Sequence, residues 1–166
     1  MSKRVRQLVG IFAAVAAYYL IHEGAHLLCA VCTGVFKQIN FMGLGVQVDV
    51  FAERMTDTQL GIFCLVGALA TLCAACLLTV FAKQICKAKS KLLRAVFYYT
   101  TIAFLLLDPL YLSVLCGFFG GGDMNGIALL CPEWEARCFF GVLLLVNGVV
   151  FWKRVLPVYR QSFARQ

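Results

Sequence analysis

Charged residues are scarce in this sequence. They make up 14% of its 166 residues, whereas hydrophobic residues make up 62%, and the mean hydropathy is +0.86. An ordinary soluble domain is about a quarter charged and about half apolar, so these proportions exclude that class and also exclude intrinsic disorder. Internal repeats, low-complexity stretches and flexible domain linkers are lacking too. We therefore predict a single integral membrane domain over residues 1–166, with the lipid bilayer as its main surroundings.

Acidic residues are the scarcer charge, with eight Asp and Glu against fifteen Lys and Arg. A basic excess can indicate nucleic-acid binding, but no stacking aromatic residues accompany the basic ones in a groove-like pattern, and we predict no nucleic-acid partner. The basic residues instead form three clusters between long apolar stretches, and such clusters mark the cytoplasmic side of a multi-pass protein. Both termini are thus predicted to be cytoplasmic, in an inner membrane. The clusters lie at residues 3–6, 83–94 and 153–165.

Four apolar stretches are long enough to cross a bilayer as helices. The fourth is short for a hydrocarbon layer of ~30 Å unless it extends at its ends. We therefore predict an all-α polytopic membrane protein with about four transmembrane helices. The predicted spans are residues 8–32, 60–82, 95–119 and 138–152.

The segment from residue 35 to residue 50 differs from the predicted helices. Its β-branched and aromatic residues alternate with polar ones, and Gly43 and Gly45 provide turn or close-approach points, so it is predicted to be a short β-hairpin. Such backbone is tolerated at membrane depth only where it packs on protein or lines a wet cavity. A functional cavity beside the first helix is the simplest explanation.

His22, Glu23 and His26 form an H-E-x-x-H pattern, HEGAH, in the first predicted helix. The spacing of four puts both imidazoles on one helical face, where they can bind one Zn²⁺, and the intervening Glu can act as general base toward water. These are the only two His residues in the chain, and ionisable groups within a membrane helix are costly enough to indicate function. A buried His pair held by hydrogen bonds and a proton or ion pathway are the alternatives.

A hydrolytic zinc site needs a third protein ligand and one open position. No third His exists, so the ligand must be a carboxylate or, failing that, a Cys. Asp123 is favoured because three preceding glycines allow the backbone to bring its carboxylate into a crowded site. Asp108 stays open as a third ligand, as a group that orients a His, or as a hydrogen-bonded group at the kink before Pro109. Two further candidates are Glu133 and Glu135.

The chain resembles a minimal, divergent member of the site-2 protease family of intramembrane zinc metalloproteases, over roughly residues 8 to 130. Four features match in the order of the family. HEGAH resembles its H-E-x-x-H helix, and GVFKQINFMGLG is similar to its glycine-led hairpin with an aromatic residue before G-x-G. GALAT resembles a degenerate G-P-x-x-N element on the next helix. Asp123 with Gly126 and Ile127 is similar to the aspartate motif of the last core helix.

This resemblance implies a zinc metalloendopeptidase. Zn²⁺ would be held by His22, His26 and Asp123, with Glu23 as the catalytic general base, and the reaction would be hydrolysis of peptide bonds in membrane-anchored protein substrates. The hairpin, with Gly43 and Gly45, would hold the substrate segment extended, as strand addition exposes a bond that a helix hides. From the next helix, Thr71 would be a further substrate-positioning residue.

The sequence departs from the family pattern at several positions. Ala68 and Thr71 replace its Pro and Asn, Met124 follows the aspartate where the family has Gly, and no PDZ-like domain is inserted. Charge counting also puts the hairpin outside, whereas the family usually carries it on the cytoplasmic side. Two other functions therefore stay open. One is an inactive membrane protein of the same fold with structural zinc or a regulatory or binding role, and the other is a small transporter using a His-Glu-His relay.

Overall fold

Four long apolar helices dominate the computed structural model, which describes residues 2–42 and 45–164. Each is long and apolar enough to cross a membrane, and a small antiparallel sheet follows the first, so the predicted fold class is confirmed. The candidate spans are Lys3–Cys32, Asp57–Val80, Lys91–Phe118 and Glu133–Ala164. The elements are α1 (Lys3–Cys32), β1 (Phe36–Met42), β2 (Gly45–Val50), α2 (Asp57–Val80), α3 (Ala82–Ile85), α4 (Lys91–Leu110), α5 (Asp123–Ile127), α6 (Glu133–Val150) and α7 (Leu156–Ala164).

Side-chain caps define where three of these helices begin. The hydroxyl oxygens of Ser2 and Ser90 accept hydrogen bonds from backbone N–H groups in the first turns of α1 and α4. At α2, Thr56 and Gln59 form a reciprocal capping box. Each cap satisfies N–H groups that lack a partner in the first turn of a helix, which fixes the point of entry into each span.

The fourth span is longer than the 138–152 predicted from hydropathy. It runs from Glu133 to Ala164, because a π-helical turn over Phe151–Val155 joins α6 to α7 without a break. Lys153 and Arg154 end the apolar run in the sequence. Both are good helix formers, so the helix continues past the point where hydropathy falls. At ~1.5 Å per residue the helix is about 48 Å long and exceeds the ~30 Å hydrocarbon layer.

The predicted hairpin is present as β1 and β2, which pair antiparallel with Ile39 opposite Val48. Its connecting residues, including Gly43, lie outside the part of the chain that the structure describes. Val48 and Val50 are buried in a small core with residues of α1 and α2, so one face of the hairpin packs on the helices. The hairpin therefore packs on protein, which is the condition for non-helical backbone beside membrane helices.

α1 packs against both α2 and α4 and connects the two ends of the molecule. At one end, the start of α1 lies near α7, and α7 packs against α3 and α4. We call this the basic end, because all three basic clusters meet there. At the other end, a cavity separates the hairpin from the segment that contains α5. His22 and His26 lie in the half of α1 nearer this second end.

Candidate metal centre

The two histidines of α1 are buried and lie one helical turn apart on the same face. Their Nε2 atoms are 3.2 Å from each other, and the two rings meet nearly edge to face. The spacing of four residues therefore has the consequence predicted from HEGAH, since both nitrogens point at one position.

Asp123 reaches the same position from the other end of the chain. Gly120, Gly121 and Gly122 all have positive φ, a backbone conformation open to glycine but costly for other residues, and they turn the chain so that α5 begins at Asp123. Its Oδ2 lies 3.1 Å from Nε2 of His22 and 3.6 Å from Nε2 of His26. The carboxylate thus faces the imidazoles and does not cap α5.

These three donors could hold a metal ion, because their ligand atoms all lie within 4.8 Å of one another. A tetrahedral ion about 2.0 to 2.1 Å from each donor separates the donors by about 3.3 to 3.4 Å. The observed separations of 3.1, 3.2 and 3.6 Å bracket that value. The donor atoms are therefore spaced closely enough for such an ion, and two nitrogens with one carboxylate oxygen are a ligand set that Zn²⁺ accepts.

Space for this arrangement depends on Gly67 in α2. A Cβ atom at this position would lie 2.5 Å from Nε2 of His26 and 2.7 Å from Nε2 of His22, well inside van der Waals contact. Any larger residue would push both rings away from their shared position. The GALAT stretch therefore contributes to the site through the close approach of its first residue.

Asp108 is held on the far side of His22. Its Oδ1 lies 3.3 Å from Nδ1 of that ring, and the carboxylate accepts hydrogen bonds from the hydroxyl groups of Tyr18 and Thr71. All of these contacts are buried or nearly so. Asp108 thus faces the ring nitrogen that points away from Asp123, which is the position of a group that orients a ligand.

Thr71, which the family resemblance implied as a substrate-positioning residue, lies next to Asp108. It is fully buried, and its hydroxyl contacts Asp108 and the carbonyl of Ala68. It is not among the described residues that line the cavity next to the histidines. Its observed contacts therefore support the carboxylate that faces His22, and its role in positioning a substrate stays a prediction.

Glu23 is fixed by the hairpin. Its Oε2 accepts a hydrogen bond of 3.1 Å from the backbone N–H of Val48 in β2. Because this N–H points toward α1, it points away from β1, and the same edge of β2 carries the backbone groups of Val46. The hairpin and the H-E-x-x-H helix are therefore joined at the residue predicted to act as base.

A cavity of about 450 Å³ lies between β2, α1 and the glycine segment before α5. Glu23, His26 and Asp123 line it together with Gly45, so three predicted site residues and one predicted substrate-positioning residue face a common space. Tyr111 and Phe119 add aromatic walls. The cavity predicted beside the first helix is thus present, and it has polar groups at its inner end.

The other carboxylate candidates lie elsewhere. Glu133 pairs with Arg137 one turn along α6, at 3.0 Å, and Glu135 is exposed in the first turn of the same helix. Sequence reasoning did not single out Tyr18 or the close packing of Gly67. The one signal for Tyr18 is its place four residues before His22, on the same helical face.

Asp123 is outside the four candidate spans, and its charge state follows from its neighbours. Burial raises the pKa of its carboxyl group, but hydrogen bonds from His22 and His26, together with their positive charge when they are protonated, lower the pKa by more, to about 2. The carboxylate is therefore ionised at neutral pH, as a metal ligand must be.

No protein-family model, no curated protein and no solved structure matches this chain. The resemblance to the site-2 protease family stays a prediction that depends on the residues quoted above. What the structure adds is the cluster of His22, His26 and Asp123, which could hold a metal ion beside Glu23.

Proposed function

We propose that this protein is an intramembrane zinc metalloprotease that hydrolyses peptide bonds of membrane-anchored proteins. One observation carries the proposal. Two histidines and an aspartate converge on one position within a membrane-spanning bundle, and a glutamate from the same helix lines the adjoining cavity. Buried ionisable groups are too costly in such a bundle to persist without a role.

Zinc is the metal that we propose. Three protein ligands leave one coordination position open, which is the arrangement of catalytic and not of structural zinc sites. When bound there, the ion would polarise the scissile carbonyl group and make water nucleophilic at neutral pH. His22, His26 and Asp123 would hold it, and Gly67 would leave it room.

Glu23 would act as the general base. One of its carboxylate oxygens accepts from Val48, so the side chain has a fixed direction before any substrate binds. The other oxygen would take a proton from the attacking water and return it to the leaving amine. This division between one oxygen that positions and one that transfers protons needs no movement of the helix.

The edge of β2 would bind the substrate. Among the described residues only β1 pairs with β2, so the backbone groups at its other edge that Glu23 does not occupy can accept an extended peptide as a third strand. That edge lines the cavity from Gly45 to Val50, next to Glu23 and His26. A peptide added there would be unwound and would place a peptide bond near the metal ligands.

Metal analysis and a cleavage assay together test the proposal. The probe would be a panel of single-span reporter proteins with helix-destabilising Gly or Pro residues in the span, reconstituted in vesicles with purified wild-type protein or E23Q. We expect about one zinc per chain in both proteins by mass spectrometry of elements. We expect cleavage by the wild type alone, with a loss of at least about 100-fold in E23Q.

Three results would contradict the proposal. A wild-type protein that binds no zinc when purified in its presence would exclude the metal centre. Zinc bound at full occupancy with no reporter cleaved would favour a structural ion. Cleavage that is unaffected in E23Q would exclude Glu23 as the general base.

A further inference from the structure

The sequence stretches that form the basic end of the molecule contain no Asp or Glu. No Asp or Glu occurs before Glu23, between Asp57 and Asp108, or after Glu135. These stretches contain all three basic clusters. Excess positive charge at the end of a transmembrane bundle attracts anionic groups, and it does so most strongly where cations converge on one pocket.

Such a pocket lies between α3, α4 and α7. Its volume is about 360 Å³, and its walls include the cationic side chains of Lys83, Lys87 and Arg94 together with the polar side chains of Gln161 and Ser162. No acidic side chain is among the described residues that line it. Three cations from two separate elements thus face one space, which we call the basic pocket.

The floor of the basic pocket is rigid. Arg94 is almost fully buried, and its Nη1 donates to both the backbone oxygen and the hydroxyl oxygen of Ser162, at 2.8 and 2.7 Å. The Ser162 hydroxyl in turn donates to the backbone oxygen of Cys86. The guanidinium group is therefore fixed between α4, α7 and the connection that follows α3. A fixed guanidinium suits oxyanions, whose oxygens match the planar fork of its N–H groups.

The basic pocket lies far enough along the fourth helix to reach the headgroup layer of a bilayer. Its α7 wall, Val158 to Ser162, lies 25 to 29 residues beyond Glu133 on the continuous fourth helix. About 20 residues are enough to cross the hydrocarbon layer, so this wall extends beyond it. The opposite wall begins just after α2 ends at Val80.

From these observations we propose that the basic pocket binds a phosphate group, as carried by the headgroup of an anionic phospholipid or by free phosphate. Lys83 and Lys87 would contact the phosphate oxygens from the rim, and the guanidinium group of Arg94 would add fixed positive charge at the floor. Basic pockets between helices at this level are suited to anionic headgroups. The proposal is independent of the metal centre, which lies toward the other end of α1.

Native mass spectrometry of the full-length protein in detergent tests this site, with phosphatidylglycerol titrated against phosphatidylcholine. The test variant is K83Q/K87Q, which leaves the buried Arg94 in place. The matched control is K153Q/R154Q, which removes the same charge from exposed residues of the basic end that do not line the pocket. Thermal unfolding of both variants checks that they are folded. A second titration adds inorganic phosphate to the phosphatidylglycerol complex and to the lipid-free protein.

We expect the wild type to retain one phosphatidylglycerol in preference to phosphatidylcholine. Each Lys near an anionic surface contributes roughly a factor of five, so K83Q/K87Q should weaken binding about 25-fold, and the control should change it far less. Displacement by millimolar inorganic phosphate would identify free phosphate as a ligand, and its failure to compete would identify the lipid headgroup. Equal weakening in both double variants, or a wild type that shows neither a lipid preference nor binding of inorganic phosphate, would overturn the proposal.

Discussion

Asp108 approaches His22 from the side of Nδ1, with 3.3 Å between that nitrogen and its Oδ1. A carboxylate in this position favours the tautomer that carries its proton on Nδ1, which leaves the lone pair of Nε2 directed at the shared position of the cluster. Asp123 lies next to Nε2 of the same ring. The two aspartates therefore flank one imidazole, and their geometry separates a ligand from a group that orients a ligand.

Replacing each aspartate by alanine should separate these two roles. We expect D123A to lose bound metal, because only His22 and His26 remain. We expect D108A to keep one metal per chain at saturation, with affinity lowered about 10- to 100-fold, as is typical when a group behind a ligand is removed. Elemental analysis and competition with a chelator measure both quantities. E53A, at an exposed acid outside the cluster, is the control, and metal loss in D108A with retention in D123A would reverse the assignment.

Gly67→Ala should abolish metal binding without removing any ligand. Its methyl group would overlap Nε2 of both histidines, and the rings would have to turn away from each other. The matched control is Gly24→Ala, between the two histidines on α1, where a Cβ atom meets nothing within 4 Å. We expect the control to bind metal as the wild type does in elemental analysis. Normal metal content in G67A would mean that α2 leaves more room than the structure indicates.

The fold could be predicted from the sequence because hydropathy and the periodicity of apolar residues are local signals. Four apolar runs and one alternating segment were enough to predict the spans and the hairpin. The fourth helix continues beyond the span predicted from hydropathy because Lys153 and Arg154 lower hydropathy while continuing the helix. Local signals of this kind predict the type of an element more reliably than the residue at which it ends.

The site was less accessible from sequence. The spacing of four residues was enough to place His22 and His26 on one helical face. It did not decide whether Asp108 or Asp123 is the third metal ligand. Which nitrogen of a ring each carboxylate meets depends on the packing of α1 against α4 and on the turn before α5. Thr71 illustrates the same limit, because a family pattern gives a position along the chain and not the direction of a hydroxyl group.

Tyr18→Phe should weaken metal binding through Asp108. The Tyr18 hydroxyl donates to Asp108, and a hydrogen bond to a charged group contributes about 1.5 to 3 kcal/mol, part of which acts on His22. We expect affinity to fall severalfold in Y18F but not to fall further when Y18F is added to D108N, because the two residues act as a unit. Chelator competition measures all three variants. Y19F is the control, because it removes the hydroxyl group of a neighbouring tyrosine that lines the cavity. Additive losses of affinity in the double variant would contradict the coupling between Tyr18 and Asp108.

Lysine labelling should reveal the orientation in the membrane. Lys37, on the hairpin, is the only Lys between Lys3 and Lys83, and its side chain is 45% exposed. Lys83 and Lys87 lie exposed at the basic end, and basic clusters favour the cytoplasmic side. A membrane-impermeant amine reagent applied to intact cells should therefore label Lys37 and spare the other two, as read by peptide mass spectrometry. Lysed cells, in which all three should react, are the control. The reverse pattern in intact cells would place the hairpin and the cavity on the cytoplasmic side and contradict the charge rule here.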